Sequence, residues 1–342
     1  MRIAQLAPMV FPVPPVTHGG TERVVHDLTE ALVAAGQDVT LFAATDSRTS
    51  AKLLGVRESL AATIGDDDEP AGLLEALEAA NLEALRSRLD EFDIIHAHVA
   101  TAHAEMLGDA RAPSLTTIHW RADQDDRRAM FADHPHLPVN SISQDQGRAI
   151  PATNHVGTVH HGIPFDRFQL GPGGGPAAFI GRMTDQKQPD AAIRIADAAG
   201  VRLTLAGTVD RGNPTYFAEQ VEPLLGAGAS FFGAVDERQK QTLLGDARAL
   251  IFPIDWPEPF GLVMIEAMAC GTPVVAFRRG SVPEIVEDGV TGFVVDTEDE
   301  AVSALRAAAT LDRARIRQRF EASFTSDRMA RDYLRLYRQL AA

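Results

Sequence analysis

The sequence predicts an α/β protein made of two parallel-sheet domains, and three observations predict it. Short apolar runs alternate with amphipathic helical stretches along the chain, the pattern of buried strands joined by crossover helices. The alternation breaks at Gly171-Pro-Gly-Gly-Gly-Pro176 and then restarts. The 342 residues also suffice for two domains, each with its own core.

Taken in order, strands are expected at 2–7, 38–43, 93–97 and 114–118, with 139–142 and 157–159 completing the first sheet. Between the first two, Val24, Val25, Leu28, Ala31, Leu32 and Ala35 recur at helical spacing, and Gly36 stands where a C-terminal cap belongs. Leu73, Leu77, Leu82, Leu85 and Leu89 mark a second amphipathic helix, whose stripe reads as a core face. The first domain spans 1–168 and a flexible linker 169–176. The second domain, 177–326, has strands at 177–180, 202–206, 229–232, 249–253 and 274–276, helices at 189–199, 214–225 and 261–269, and a further element at 237–244. Two such domains joined by a linker predict a cleft where ligands meet the C-terminal ends of the strands. A last helix runs over 327–340.

Composition narrows the function. Only 23% of residues are charged and 45% are hydrophobic, a globular balance, and the net charge is −15. So acidic a chain is a poor partner for nucleic acid or for anionic lipid. The single cysteine, Cys270, forms no internal disulfide and fits a reducing, cytoplasmic compartment. The apolar start is read as a strand and not as a signal peptide, because Pro12, Pro14 and Pro15 interrupt it, and no run is long enough to span a membrane.

The segment richest in chemistry runs from Glu258 to Gly271. Pro259 and Gly261 open a helix whose free N–H groups form an anion site, and Glu258 and Glu266 accept hydrogen bonds from sugar hydroxyls. Because Glu258 precedes the helix, the two carboxylates suit two places on one extended ligand. Gly19 and Gly20, in His18-Gly-Gly-Thr-Glu22, let backbone approach a diphosphate. Arg182 and Lys187 supply local positive charge in an acidic protein, and Lys187 is one of only three lysines, with Lys52 and Lys240. Histidine 119 ends the strand Thr117-Ile118-His119.

Together with Asp93-Ile-Ile-His96-Ala-His98, Phe232-Gly233-Ala234, and Pro283-Glu284-Ile285 followed by 289–292, these segments resemble the family 4 retaining glycosyltransferases in order and spacing. The resemblance implies the GT-B fold, two Rossmann-like domains facing across a cleft, the final helix crossing back to the first domain and a hairpin at the 289–292 segment. It implies transfer of a sugar from a nucleotide diphosphate, expected to be a UDP-sugar, to a hydroxyl of a small molecule or oligosaccharide. Arg182 and Lys187 would bind the diphosphate and stabilise it as it leaves, so no metal or other cofactor is expected. His119 would bind and orient the donor sugar, Glu258 its hydroxyls and Glu266 the ribose. The amides of Phe260, Gly261 and Leu262 would line the sugar and phosphate end, Gly233 the base, and Gly19 and Gly20 the diphosphate. The chain is also similar to enzymes of antibiotic assembly, of the orthosomycin type. A nucleotide-sugar epimerase, a glycosidic phosphorylase and an idle nucleotide-sugar binding protein remain alternatives. One departure is Gln188, where the family often has glycine after the lysine.

Other clusters are set aside. His96, His98 and His103 lack a completing acidic or sulfur ligand, and the acidic runs 66–69 and 123–126 read as solvated loops or helix starts. Gly173 to Gly175 lacks the lysine and hydroxyl of a phosphate loop.

Overall fold

Apolar runs too short for helices are buried on both faces here, and the computed structural model, which describes residues 1–16, 19–65, 69–108 and 112–342, pairs them into a seven-stranded and a six-stranded sheet. The chain divides into two compact units, Met1–Pro164 with Ser326–Ala342, and Phe165–Thr325.

The first unit holds β1 (Arg2–Leu6), β2 (Asp38–Phe42), β3 (Lys52–Leu54), β4 (Ile94–Ala97), β5 (Ser114–Thr117), β6 (Val139–Ser141) and β7 (His155–Thr158), all parallel, in the order β3-β2-β1-β4-β5-β6-β7. The order reverses between β1 and β4, and it is past the C-terminal ends of such a pair that a crevice opens. The helix Gly20–Ala34 buries Val24, Val25, Leu28, Ala31 and Leu32 at the expected spacing. Each such Val or Leu contributes about 1.5–3 kcal/mol relative to exposure when fully buried. The helix Leu73–Arg86 buries Leu77, Leu85 and also Asn81, whose amide donates to the carbonyls of Ala7 and Phe42 at the ends of β1 and β2. The final helix, Ser326–Leu340, turns Met329, Ala330, Tyr333, Leu334 and Tyr337 inward, and the chain thereby returns to the first unit.

The second unit holds β8 (Ala177–Ile180), β9 (Leu203–Ala206), β10 (Ala229–Phe231), β11 (Leu250–Phe252), β12 (Val274–Phe277) and β13 (Gly292–Val295), parallel, in the order β10-β9-β8-β11-β12-β13, reversing between β8 and β11.

Several details differ from expectation. Two edge strands were not expected, β3, three residues that begin with an exposed lysine, and β13, and β7 begins two residues before 157. The stretch 214–225 is not one α-helix: an α turn passes into a π-helical segment, Phe217–Val221, and a 3-10 turn, Glu222–Leu224, where Pro223 has no N–H to give. The segment 289–292 is a turn closed by Gly289 N–H on the Gly292 carbonyl at 2.8 Å, and leads into the parallel strand β13, not a hairpin. The glycine-rich 169–176 is no free linker, since the chain passes between units at Pro164 and Thr325. Gly171, Gly173 and Gly175 donate to the carbonyls of Cys270, Gly245 and Asp246 at 3.0, 2.9 and 2.8 Å. Arg313 holds the same stretch through the carbonyls of Gly171, Gly245, Ala247 and Cys270. A Cβ on Gly171 would stand 2.2 Å from Gly245 backbone, so the missing side chains serve close packing and not flexibility.

Candidate functional site

In the second unit, the segment after β8 and the segment after β11 meet at the point where strand order reverses. From the first comes Lys187; from the second come Trp256 and Glu258. The Lys187 ammonium pairs with Glu258 Oε2, the Trp256 indole N–H donates to the same oxygen at 2.9 Å, and the ammonium lies 5.4 Å from the ring centres of both Phe252 and Trp256. Both bonds go to Oε2, and Glu258 Oε1 has no partner among the described residues. Gly261, at φ 78°, precedes the helix Leu262–Ala269, whose start no side chain caps, and a Cβ there would meet Met264 Cε at 2.7 Å. Phe260 is buried and gives its carbonyl to the Ser281 hydroxyl at 2.8 Å, while Leu262 is half-buried as the first residue of the helix.

Glu266 is buried one turn further on, and Lys240, on the helix Glu237–Asp246, donates to both its oxygens at 2.8 and 3.0 Å. Each carboxylate of the pair eight residues apart is therefore held by a lysine, and two of the chain's three lysines are spent on them. Lysine scarcity was the signal that pointed to Lys187, and it points equally to Lys240. Trp256 had no signal of its own. Arg182 is exposed, and its guanidinium makes no hydrogen bond or ion pair among the described residues. Its charge is uncompensated where that of Lys187 is neutralised. Gly233, at φ 73°, follows β10 beside the exposed Phe232 and accepts from the Gly207 N–H at 2.8 Å.

In the first unit, a cavity of about 230 Å³ opens past the C-terminal ends of β1, β4 and β5, with Glu22, Glu78, His98, His119, Trp120 and Arg127 among its walls. Burial raises the pKa of Glu22 and of Glu78, the latter helped by Glu75. His119 keeps part of its surface in the cavity, and loss of hydration pushes its pKa down to about 3, so it is neutral. Its Nε2 lies 2.9 Å from His98 Nδ1, its ring stacks on His161 at 5.2 Å, and its Nδ1 is shut from solvent without a partner among the described residues. Gly19, at φ 138°, precedes the helix Gly20–Ala34, which has no side-chain cap; Gly20 is exposed at its first position. A Cβ on Gly19 would crowd Pro15 at 2.9 Å and Glu22 Oε2 at 3.2 Å. His18 and the acidic residues 66–68 lie outside the described residues. His103 bonds Thr116 at 2.8 Å, and among the described residues no three His, Cys, Asp or Glu side chains are grouped to hold a metal ion.

Two family models account for both halves of this architecture: Glycosyltransferase Family 4 matches residues 18–143, and Glycosyl transferases group 1 matches 165–323. The chain belongs to the GT-B family 4 glycosyltransferases. Among curated relatives of this glycosyltransferase, the D-inositol 3-phosphate glycosyltransferase of Mycolicibacterium paratuberculosis is 28% identical over 300 residues, covering 72% of this chain and 68% of the relative. That of Mycobacterium marinum is 32% identical over 210 residues, covering 56% of this chain and 44% of the relative. Among solved structures, sucrose-phosphate synthase from Thermosynechococcus elongatus superposes with a TM-score of 0.80 at 22% identity over 99% of both chains. AviGT4, a glycosyltransferase of avilamycin A biosynthesis, gives 0.75 at 21% identity over 100% of this chain and 98% of its own. HepE of Anabaena, in complex with UDP and glucose, gives 0.75 at 19% identity over 99% of this chain and 100% of its own. At these identities the likeness is one of fold. Among the described residues, no helix is long and apolar enough to cross a membrane.

Proposed function

We propose that this glycosyltransferase moves a sugar from a nucleotide diphosphate, a UDP-sugar, to a hydroxyl of a small polyol or oligosaccharide, with retention of configuration. The observation that carries the reading is the cluster at the strand-order reversal of the second unit: an unpaired Arg182, a lysine shared with Glu258, and an open helix start at Gly261. A diphosphate would draw on Arg182 first, because Lys187 is neutralised by its carboxylate until an anion arrives. The helix start adds N–H groups, and the donor hydroxyls would go to Glu258 Oε1. Glu266, held by Lys240, would take ribose hydroxyls. UDP and glucose in the structure of HepE support a nucleotide-sugar donor, and relatives named for D-inositol 3-phosphate support a polyol acceptor. The first unit's cavity suits hydroxyls: it offers two carboxyls whose pKa is raised and a neutral imidazole.

Fixed cations at the departing diphosphate would provide the stabilisation a metal gives elsewhere. Departure and attack on one face of the sugar would require no protein nucleophile. Thermal unfolding with UDP-, GDP- and ADP-sugars, followed by nucleotide-release kinetics, tests the reading. A donor bound only by the folded chain at 100 times its Kd adds about 2.7 kcal/mol. Stabilisation and slow release of UDP from a UDP-sugar are expected; a chain that neither binds nor turns over any nucleotide sugar refutes it.

A further inference from the structure

We propose that a one-directional hydrogen-bond relay, anchored on the Ser141 carbonyl and passing through the final helix, fixes His119 as its Nε2–H tautomer and presents Nδ1 as an acceptor for a substrate hydroxyl. Tyr337 and Gln5 are then positioning residues for a histidine they do not touch. Every member belongs to the first unit.

The direction follows from donor and acceptor chemistry, link by link. A backbone carbonyl only accepts, so the Asn140 amide nitrogen, 3.1 Å from the Ser141 carbonyl oxygen, must be the donor there, and Asn140 Oδ1 faces the Thr117 hydroxyl at 2.6 Å. Thr117 therefore donates its proton to Asn140. Having none left, Thr117 Oγ1 accepts from His96 Nε2–H at 2.6 Å and from the Tyr333 hydroxyl at 3.1 Å. His96 is neutral, since burial and the neighbouring His119 hold its pKa well down, so its Nδ1 is a bare lone pair. That lone pair accepts the Tyr337 O–H at 2.6 Å.

The Tyr337 oxygen must then accept from Gln5 Nε2 at 3.1 Å, which sets the Gln5 amide and turns its Oε1 to His98 Nε2 at 2.6 Å. An amide oxygen cannot donate, so His98 carries its proton on Nε2 and its Nδ1 accepts from His119 Nε2–H at 2.9 Å. The one position left is His119 Nδ1, an acceptor shut from solvent with no partner among the described residues, on a ring that lines the cavity. Reversing the relay would set Asn140 Oδ1 against the Ser141 carbonyl, oxygen on oxygen at 3.1 Å. A buried acceptor without a partner is costly, and a ligand hydroxyl would supply the missing proton once the groups that cover Nδ1 at the cavity wall give way to it.

The inference rests on the proposed transfer only for its effect on turnover; the tautomer is readable without substrate. Nitrogen-15 NMR of histidine-labelled protein should show His119 with a protonated, pyrrole-type Nε2 and a bare, pyridine-type Nδ1. Tyr337→Phe removes the link that orients Gln5, and a mixture of His119 tautomers is expected. Tyr333→Phe, an equally buried hydroxyl one turn away, leaves Thr117 donating to Asn140 and should leave His119 a single tautomer. If half of His119 is in the competent form, kcat for the transfer falls about twofold, with nucleotide affinity unchanged. A wild-type His119 protonated on Nδ1, a single tautomer surviving Tyr337→Phe, or equal scrambling by Tyr333→Phe overturns the relay. The expected tautomers with no turnover of any nucleotide sugar would instead overturn the proposed function.

Discussion

Replacing Lys187 by methionine separates what the Lys187–Glu258 pair does for the fold from what it does for the reaction. Removing one partner of a fully buried ion pair costs about 3–5 kcal/mol. Here 17% and 10% of the two side chains stay exposed, and Glu258 keeps its bond from Trp256, so the expected loss is about 2 kcal/mol. For a unit of this size that is a fall in Tm of about 2–4 °C per kcal/mol. Loss of a preorganised cation at the departing diphosphate lowers kcat by about 10²–10³. Pairing Lys187→Met with Glu258→Gln removes the stranded carboxylate and should recover most of the stability. It should recover none of the turnover. Thermal unfolding and steady-state release of nucleotide from a UDP-sugar read the two effects separately. Unchanged kcat in Lys187→Met, or kcat restored by the second substitution, would refute a direct role for the ammonium.

Other outcomes follow from the same geometry. Arg182→Ala should leave thermal unfolding unchanged, because the side chain is exposed and unpartnered among the described residues. Its kcat/KM for the donor should fall about 10–100-fold, the worth of a hydrogen bond to a charged group; equal kinetics would remove Arg182 from the site. Gln188 adopts φ 49°, where a side chain is strained, so Gln188→Gly should raise stability by about 1 kcal/mol, measured by urea unfolding. A destabilised glycine variant would mean that the glutamine side chain contributes more than its backbone costs.

Acid should weaken the first unit. Loss of hydration lowers the pKa of His119 to about 3 and of His103 to about 4, and takes His96, His98 and His161 well below the ordinary value. Below about pH 6.5 the unfolded chain binds protons on these rings that the native unit refuses, so stability is full above that pH and is lost as pH falls towards 4. Each ring contributes up to about 1.4 kcal/mol per pH unit, while Glu22 and Glu78, raised by burial, oppose the trend as two against five. The chain's two tryptophans fall one in each unit, so Trp120 fluorescence in a Trp256→Phe variant follows the first. A urea midpoint no lower at pH 5 than at pH 7.5 would contradict the assignment.

Periodicity alone determined the α/β class and nearly all the strands, because a strand buried on both faces must be apolar throughout and a helix over it must show one apolar stripe. The same logic overlooked β3, whose three residues are only half covered, and β13, and misread the glycines at 171–175, since composition does not tell a loose backbone from one pressed against Gly245. The segment around Glu258 and Glu266, and its resemblance to the family, rather than their spacing alone, made both candidate ligand carboxylates. That each is already held by a lysine, one 71 and one 26 positions away, was decided by tertiary structure: strand order brings the segments after β8 and β11 together for Lys187, and the helix Glu237–Asp246 packs beside the helix Leu262–Ala269 for Lys240. Histidine 119 was legible as a candidate from the resemblance of Thr117-Ile118-His119 to the family's histidine motif, just past the end of β5. The proton it carries was not, because tautomers are set by hydrogen-bond partners, and those come from β1, β4, β6 and a helix at the far end of the chain.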